Sequence, residues 1–396
     1  MQRLSEIQAA IQSGGLDGWL LYDFRGMNPI AWQVAGVPVG TLLTRRWACY
    51  VPAHGEPAWL VHAIEVGGLS AIAPGACAYV SWQEWREGLR ALMGGARRVA
   101  MEVSPGGAVP TVSRVDAGTV DLVRSLAVEV VTSADLVQIA DAVWSPAQLE
   151  GHRRAAQALI GVTNAAFAHV REHLVAGLPL GEISVQDFIL AEFRRRDIQT
   201  DHPPIVAVNA HAADPHYAPR RDADTPIRPG DLLLLDMWAR EPQPDAVYAD
   251  ITWMGYCGSQ PPPRIKGVFE VVRAARDAGV DFARERVRSG QAVAGCDVDD
   301  AVRDVVRAAG YGKHFIHRTG HSIGTSVHGN GVNLDNLETQ DLRRLIPGVG
   351  FSVEPGIYLP EEGIGVRLEI DCYVADGDIE VTTLPLQQEL VLLGAG

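Results

Sequence analysis

The segment PGDLLLLD, at residues 229–236, returns in modified form as PGVGFSVE at residues 347–354. Each copy begins with Pro-Gly, a strong turn signal, and continues as an apolar strand that ends on an acid. Two helical patterns precede the first copy, and two more precede the second. We therefore predict two helix-and-strand repeats that face each other across a pseudo-twofold axis and share one centre.

The repeated region begins with a clear helix start. Ser145 is suited to the N-cap, Pro146 to the first helical position, and Gln148 completes a capping box. Upstream of this point, short apolar strands such as GWLLYDF alternate with helical patterns such as LSEIQAAIQS. The sequence thus predicts an α/β N-terminal domain over residues 1–144 and a second domain of α+β type over residues 145–396.

Composition excludes several classes of partner. The net charge of -14 opposes binding to a nucleic-acid backbone, which needs a basic surface. No apolar run reaches the length of a membrane span, so we expect no membrane partner. Five scattered cysteines form no CxxC pair, which predicts reduced thiols in a cytoplasmic protein: Cys49, Cys77, Cys257, Cys296 and Cys372.

Four acids lie in apolar strand contexts: Asp236, Asp250, Glu354 and Glu369. A single acid of this kind is usually a turn or cap residue, but four that converge would repel one another. A carboxylate among Leu, Val and Phe is costly unless it is paired or binds a metal. Two divalent cations would cancel four negative charges. With one neutral histidine, the set predicts a dinuclear site suited to manganese, cobalt, zinc or iron.

In order along the chain, these pieces resemble the M24 pita-bread metallopeptidases, the family of methionine aminopeptidase, aminopeptidase P and prolidase. The matching motifs are VAVNAHAADPHYAP, LLLLD, VYADIT, HRTGHSIGTSVHGNG, VEPGIY and GVRLE. The resemblance implies a pita-bread catalytic domain over residues 145–396 and a creatinase-like domain over residues 1–144. It also implies two divalent ions, manganese first with cobalt or zinc as alternatives, held by Asp236, Asp250, His321, Glu354 and Glu369.

The same resemblance assigns roles beyond metal binding. Glu354 would act as the general base, while His216 and His328 would be catalytic and bind the peptide. Arg367 could pair with an acidic neighbour or with a substrate carboxylate. His317 has no ligand role in the pattern and is expected to be structural.

The motifs also carry expectations about the backbone and depart from the family pattern in places. Gly320 and Gly324 are expected to let the backbone crowd the site. Relative to the family pattern, the segment REPQPDA lengthens the hairpin between the first two acids. Ala249, Trp253 and Ile370 stand where the family often has Ser, Arg and Asp, which leaves the ligand set intact but weakens the assignment of a subfamily.

The function that the resemblance implies is hydrolysis of Xaa-Pro bonds by an exopeptidase. An Xaa-Pro dipeptidase (prolidase) is favoured, with aminopeptidase P and a small-molecule lyase or hydrolase on the same fold as alternatives. A dipeptidase must recognise a free carboxylate, and Arg45 and Arg46 are candidates for substrate binding. The expected partner is a small Xaa-Pro peptide, and the resemblance implies a homodimer.

Overall fold

The structure, a computed structural model, describes residues 1 and 3–394. The chain forms two compact units, Met1–Ala142 and Val143–Gly396. Among the described residues, no helix combines the length and apolar character needed to cross a membrane.

The first unit is built around a six-stranded mixed sheet with strand order β4-β3-β2-β1-β5-β6. Strands β1, β2 and β3 pair antiparallel, whereas β4, β5 and β6 join through parallel pairs. Its helices and strands are, in chain order, α1 (Leu4–Ser13), β1 (Gly18–Phe24), α2 (Pro29–Ala35), β2 (Arg46–Pro52), β3 (Ala58–His62), α3 (Val66–Leu69), β4 (Cys77–Tyr79), α4 (Trp82–Met93), β5 (Arg98–Met101), α5 (Ala117–Arg124), β6 (Glu129–Thr132) and α6 (Ala134–Val137).

Both faces of this sheet are buried, which explains why its strands read as continuous apolar runs. Along β1, Trp19 and Leu21 pack into a cluster with helices α1, α2 and α6. The alternate residues Leu20 and Tyr22 pack into a second cluster with α4 and α5. The first unit is therefore an α/β sandwich, as the alternation of strands and helices predicts.

The second unit holds two antiparallel four-stranded sheets, ordered β16-β9-β8-β7 and β10-β11-β14-β15, and a hairpin of β12 and β13. Strand β16 is the exception, since it joins β9 in parallel. Two helices precede each sheet along the chain. The elements are α7 (Pro146–Ala176), α8 (Glu182–Arg195), β7 (Ile205–Val208), β8 (Leu232–Ala239), β9 (Ala249–Tyr256), α9 (Pro263–Arg288), α10 (Gly295–Ala308), β10 (Ser322–Ile323), β11 (Gly350–Val353), β12 (Gly356–Leu359), β13 (Ile364–Arg367), β14 (Ile370–Ala375), β15 (Asp378–Val381) and β16 (Val391–Leu392).

Helix α7 begins with the capping box that the sequence predicts. The Ser145 side chain accepts a hydrogen bond from the Gln148 backbone, and the Gln148 side chain accepts one from the Ser145 backbone. Two residues upstream of this cap, Val143 forms a bridge with Val349. The backbone N–H of Trp144 donates to the carbonyl of Gly348 at 2.8 Å. These contacts tie the start of the second unit to the strand that leads to Glu354.

Candidate metal centre and peptide pocket

Strand alternation places the first two acids on one face of a sheet. Leu233, Leu235 and Met237 of β8 point into the core formed with α7 and α8. Asp236 and Trp238 therefore share the opposite face. In the antiparallel ladder Asp236 pairs with Thr252, and Trp238 pairs with Asp250, so all four side chains are neighbours on that face.

The remaining donors come from the second sheet. Glu354 directly follows β11, and its backbone N–H donates to the carbonyl of Thr319 at 2.7 Å. The backbone N–H of Ser352 donates to the carbonyl of His321 at 2.8 Å, which holds His321 beside this strand. Glu369 bridges to Thr252 of β9, so this pairing joins the two sheets where the acids meet.

The donors converge around the His321 imidazole. Its Nε2 lies 3.7 Å from Asp250 Oδ2, 3.5 Å from Glu354 Oε1 and 3.8 Å from Glu369 Oε1. Donor atoms of Asp250, His321 and Glu369 all lie within 4.8 Å of one another, and all three residues are buried. Asp236 is buried as well, and its carboxylate meets Arg367.

This donor set fits divalent metal ions. Burial, followed by repulsion from neighbouring carboxylates, raises the pKa of Asp250 and Glu369 well above the usual range. Asp250 Oδ1 is buried and has no hydrogen-bond partner among the described residues. An oxygen in that position is costly unless a cation or a donor satisfies it. Four acids and one imidazole supply hard oxygen ligands with a single nitrogen, which suits manganese, cobalt or zinc.

Arg367 is the buried cation that the cluster already contains. Its guanidinium donates to Asp236 through Nη2, to the Tyr358 hydroxyl through Nη1 at 3.1 Å, and to Thr252 Oγ1 through Nε at 3.2 Å. The Thr252 hydroxyl in turn donates to Glu369 Oε2 at 2.8 Å. Of the two partners that the sequence left open for Arg367, the structure shows an acidic neighbour.

His317 belongs to the same hydrogen-bond network. Its Nε2 lies 2.8 Å from the Tyr358 hydroxyl, and its Nδ1 lies 2.7 Å from the carbonyl oxygen of Arg318. Burial, with the nearby charge of Arg367 next, lowers the pKa of His317 to about 3, so the ring is neutral. Neutral His317 thus accepts from Tyr358, whose hydroxyl oxygen accepts from Arg367. The ring both borders the cavity and supports Arg367, in keeping with the structural role expected for it.

A second buried layer lies behind Asp250. The backbone N–H of Asp250 donates to Asp371 Oδ2 at 2.8 Å. His152 of α7 places Nδ1 2.7 Å from the Tyr248 carbonyl and Nε2 2.7 Å from Thr382 Oγ1. Burial lowers the pKa of His152 to about 4. The neutral imidazole therefore fixes α7 against Tyr248, the residue that directly precedes the strand carrying Asp250.

A cavity of about 680 Å³ opens onto the acids and falls in the usual range for a small-molecule site. His216 and His328 both line it, together with all five predicted ligands. The His328 ring packs on the His321 ring at 4.4 Å between centroids. Loss of solvation, followed by the positive charge of Arg318, lowers the pKa of His328. The structure thus brings the two predicted substrate histidines to the same cavity as the acids.

Gly320 and Gly324, which were expected to let the backbone crowd the site, differ in the space available for a side chain. A Cβ on Gly320 would lie 1.9 Å from the backbone oxygen of Ser352, so a side chain is excluded there. A Cβ on Gly324 would meet no atom of the described residues closer than 3.9 Å, where the backbone oxygen of Ser326 lies. The prediction for Gly324 is therefore wrong, because the backbone at that position has room for a side chain.

Arg45 and Arg46 lie in the first unit and have local contacts there. Arg45 Nη1 donates to its neighbour Thr44 at 3.0 Å. The Arg46 guanidinium lies 5.0 Å above the Trp85 ring, and the Arg46 carbonyl accepts from the Tyr79 hydroxyl. A role for either residue in substrate binding stays a prediction.

Sequence reasoning missed four residues of the site. Thr252 and Tyr358 hold Arg367, and Trp238 and Arg318 line the cavity. Trp238 could have been found from strand alternation, because it lies two residues after Asp236 and so shares its face. Thr252 follows from the same rule applied to Asp250. Nothing in the local sequence around Tyr358 or Arg318 indicates their roles, which depend on contacts between distant segments.

Comparison with known proteins identifies relatives along most of the chain. The family described as Metallopeptidase family M24 matches residues 150–376. A probable dipeptidase, PepE, from Mycobacterium tuberculosis is 28% identical over 357 residues, which cover 88% of this chain and 86% of that relative. A Lactobacillus delbrueckii Xaa-Pro dipeptidase is 32% identical over 188 residues, which cover 46% of this chain and 44% of that relative.

A solved structure shares the whole fold. The dipeptidase PepE from Mycobacterium ulcerans aligns with a TM-score of 0.71 at 24% identity and covers 100% of this chain and 98% of that chain. At this identity the likeness concerns the fold alone. It agrees with a creatinase-like first unit and a pita-bread second unit.

Proposed function

The chain belongs to metallopeptidase family M24, and we propose that it is a dinuclear metal-dependent exopeptidase that cleaves Xaa-Pro dipeptides. The observation that carries the proposal is that five donor residues line one cavity and four of them are buried, with Asp250 Oδ1 left without a partner among the described residues. The dipeptidase names of the relatives support the choice of substrate length.

The proposed metal ligands are Asp236, Asp250, His321, Glu354 and Glu369. Manganese is the first choice, with cobalt or zinc as alternatives, because oxygen donors predominate in the set. Divalent ions in such a site polarise the scissile carbonyl and lower the pKa of water. Arg367 and Thr252 hold two of the carboxylates by direct hydrogen bonds, which fixes their orientation before any ion binds.

Other side chains supply proton transfer and peptide binding. Glu354 is the proposed general base, since it combines a position on the cavity with a carboxylate 3.4 Å from the Ser352 hydroxyl. His216 and His328 line the same cavity and are proposed to hold the peptide and stabilise the charge that develops on the carbonyl oxygen. Glu354 would move the proton from the attacking water to the leaving nitrogen.

We further propose a cytoplasmic homodimer. The cytoplasmic location is supported by the five cysteines, all of which are free thiols in the structure. The dimer rests on the family resemblance alone.

The test is a substrate panel on purified protein with manganese. Ala-Pro, Ala-Pro-Ala and Met-Ala-Ser are assayed for release of the N-terminal residue, with Asp250→Asn as the inactive control. Cleavage of Ala-Pro alone is the expected result. Cleavage of Ala-Pro-Ala after alanine would make the enzyme an aminopeptidase P. Absence of metal-dependent cleavage of all three peptides would refute the proposed function and return attention to small-molecule chemistry on this fold.

A further inference from the structure

The cavity must distinguish a dipeptide from a longer peptide by a charge. An Xaa-Pro dipeptide ends in a carboxylate one residue after the scissile bond, whereas a longer peptide continues there as an amide. A cation that faces the cavity is the simplest means of recognising that difference. Within the part of the chain that the structure describes, two arginines line the cavity, Arg318 and Arg367.

Arg367 is already hydrogen-bonded to residues of the protein. Its side chain is buried, and each of its three nitrogens donates within the protein, to Asp236, Tyr358 and Thr252. A substrate carboxylate at this guanidinium would compete with Asp236, which is itself a proposed ligand. Arg367 therefore orients the site and does not select substrate length.

Arg318 has the opposite arrangement, because its backbone is anchored while its side chain is free. Its N–H donates to Glu338 Oε1 at 2.9 Å, and its carbonyl oxygen lies 2.7 Å from His317 Nδ1. Over residues 1 and 3–394, the guanidinium makes no hydrogen bond to the protein and has no carboxylate within 4.0 Å. The residue is partly exposed, so the cation is available to a ligand.

Arg318 lines the same cavity as the five proposed ligands. A peptide bound in this cavity of about 680 Å³ can therefore contact both the ligands and Arg318. Besides the four proposed acidic ligands, Asp214 and Glu338 also line the cavity. Their negative charges would repel a substrate carboxylate.

We propose that the Arg318 guanidinium binds the C-terminal carboxylate of a dipeptide and thereby sets the preference for dipeptides over longer peptides. This inference rests on the proposed function, since it names the residue that selects substrate length in the same site. A planar guanidinium and a carboxylate can form two parallel N–H···O bonds, which gives the contact a defined direction.

The experiment crosses two enzymes with two substrates. Wild type and Arg318→Gln are assayed with manganese on Ala-Pro and on Ala-Pro-amide, which differ only in the terminal charge. A hydrogen bond between charged groups corresponds to a change of roughly 10- to 100-fold in kcat/KM. We expect Arg318→Gln to lose that factor on Ala-Pro and to change by less than about threefold on Ala-Pro-amide. Arg318→Lys, which keeps the charge, should recover part of the loss.

Arg307→Gln is the matched control, because Arg307 is an exposed arginine of α10 that pairs with Asp304 and does not line the cavity. It should behave as wild type on both substrates. An equal loss on acid and amide in Arg318→Gln would overturn the inference, as would no loss on either. If the wild type cleaves neither substrate, the proposed function itself fails. The wild-type assay therefore distinguishes failure of the proposed function from failure of the inference about Arg318.

Discussion

Replacing Arg367 with Gln should destabilise the metal-free protein more than the metal-loaded protein. Without metal, Arg367 is the cation that contacts Asp236 and lies close to Glu354 and Glu369. Removing one partner of a buried ion pair costs about 3–5 kcal/mol, because the other charge is left unpaired. For a unit of this size, each kcal/mol lowers the melting temperature by about 2–4 °C, so we expect a fall of roughly 6–20 °C in the absence of metal.

Bound dications would neutralise the same carboxylates, so the deficit should shrink when manganese is present. Melting is followed by differential scanning calorimetry with a chelator and with excess manganese, for wild type and Arg367→Gln. Arg276→Gln is the matched control, since Arg276 is fully buried on α9 and does not line the cavity. Its deficit should be the same under both conditions. A deficit of Arg367→Gln that is unchanged or larger with manganese would refute the reasoning, because Arg367 would then act only by orienting ligands.

Three other outcomes follow from the contacts. The pKa of His152 is about 4 in the folded protein and about 6.5 in the unfolded chain. The free energy of unfolding should therefore decrease by up to about 3 kcal/mol as the pH drops from 6.5 to 4. Urea melts should show a smaller decrease over this pH range for His152→Asn than for wild type. Trp238→Ala removes an aromatic wall beside Asp250 and should raise KM for Ala-Pro about tenfold with a smaller effect on kcat, whereas an unchanged KM would exclude contact with substrate. Glu354→Gln should lower kcat by about 10²–10⁴ without loss of fold, and a rate near wild type would remove Glu354 as the base.

Local sequence patterns sufficed for the elements that carry the site. The capping box at Ser145 and Gln148 follows from backbone hydrogen bonding within one turn, and the structure reproduces it. The acids could be recognised because each lies in an apolar run. The prediction that the first strand ends on its acid is wrong, since β8 continues past Asp236 to Ala239. Alternation along β8 then fixes the face on which Asp236 lies.

What sequence could not provide were contacts between segments far apart in the chain. Thr252 accepts a hydrogen bond from Arg367, which lies 115 residues away in the chain. It donates one to Glu369, which lies 117 residues away. Gly324 was misjudged for a similar reason, because whether a Cβ has room depends on which backbone packs against it. The motif contains both glycines, but only the fold shows that Ser352 lies against Gly320 and that, among the described residues, Gly324 has no neighbour closer than Ser326 at 3.9 Å.

The number of manganese ions bound per chain tests the central claim most directly. Metal-free protein is dialysed against manganese, and bound metal is measured by mass spectrometry for wild type and for Asp250→Asn. The five-donor centre predicts two ions per chain in the wild type and fewer in the variant. One or no ion per chain in the wild type, or the same number in both proteins, would contradict it.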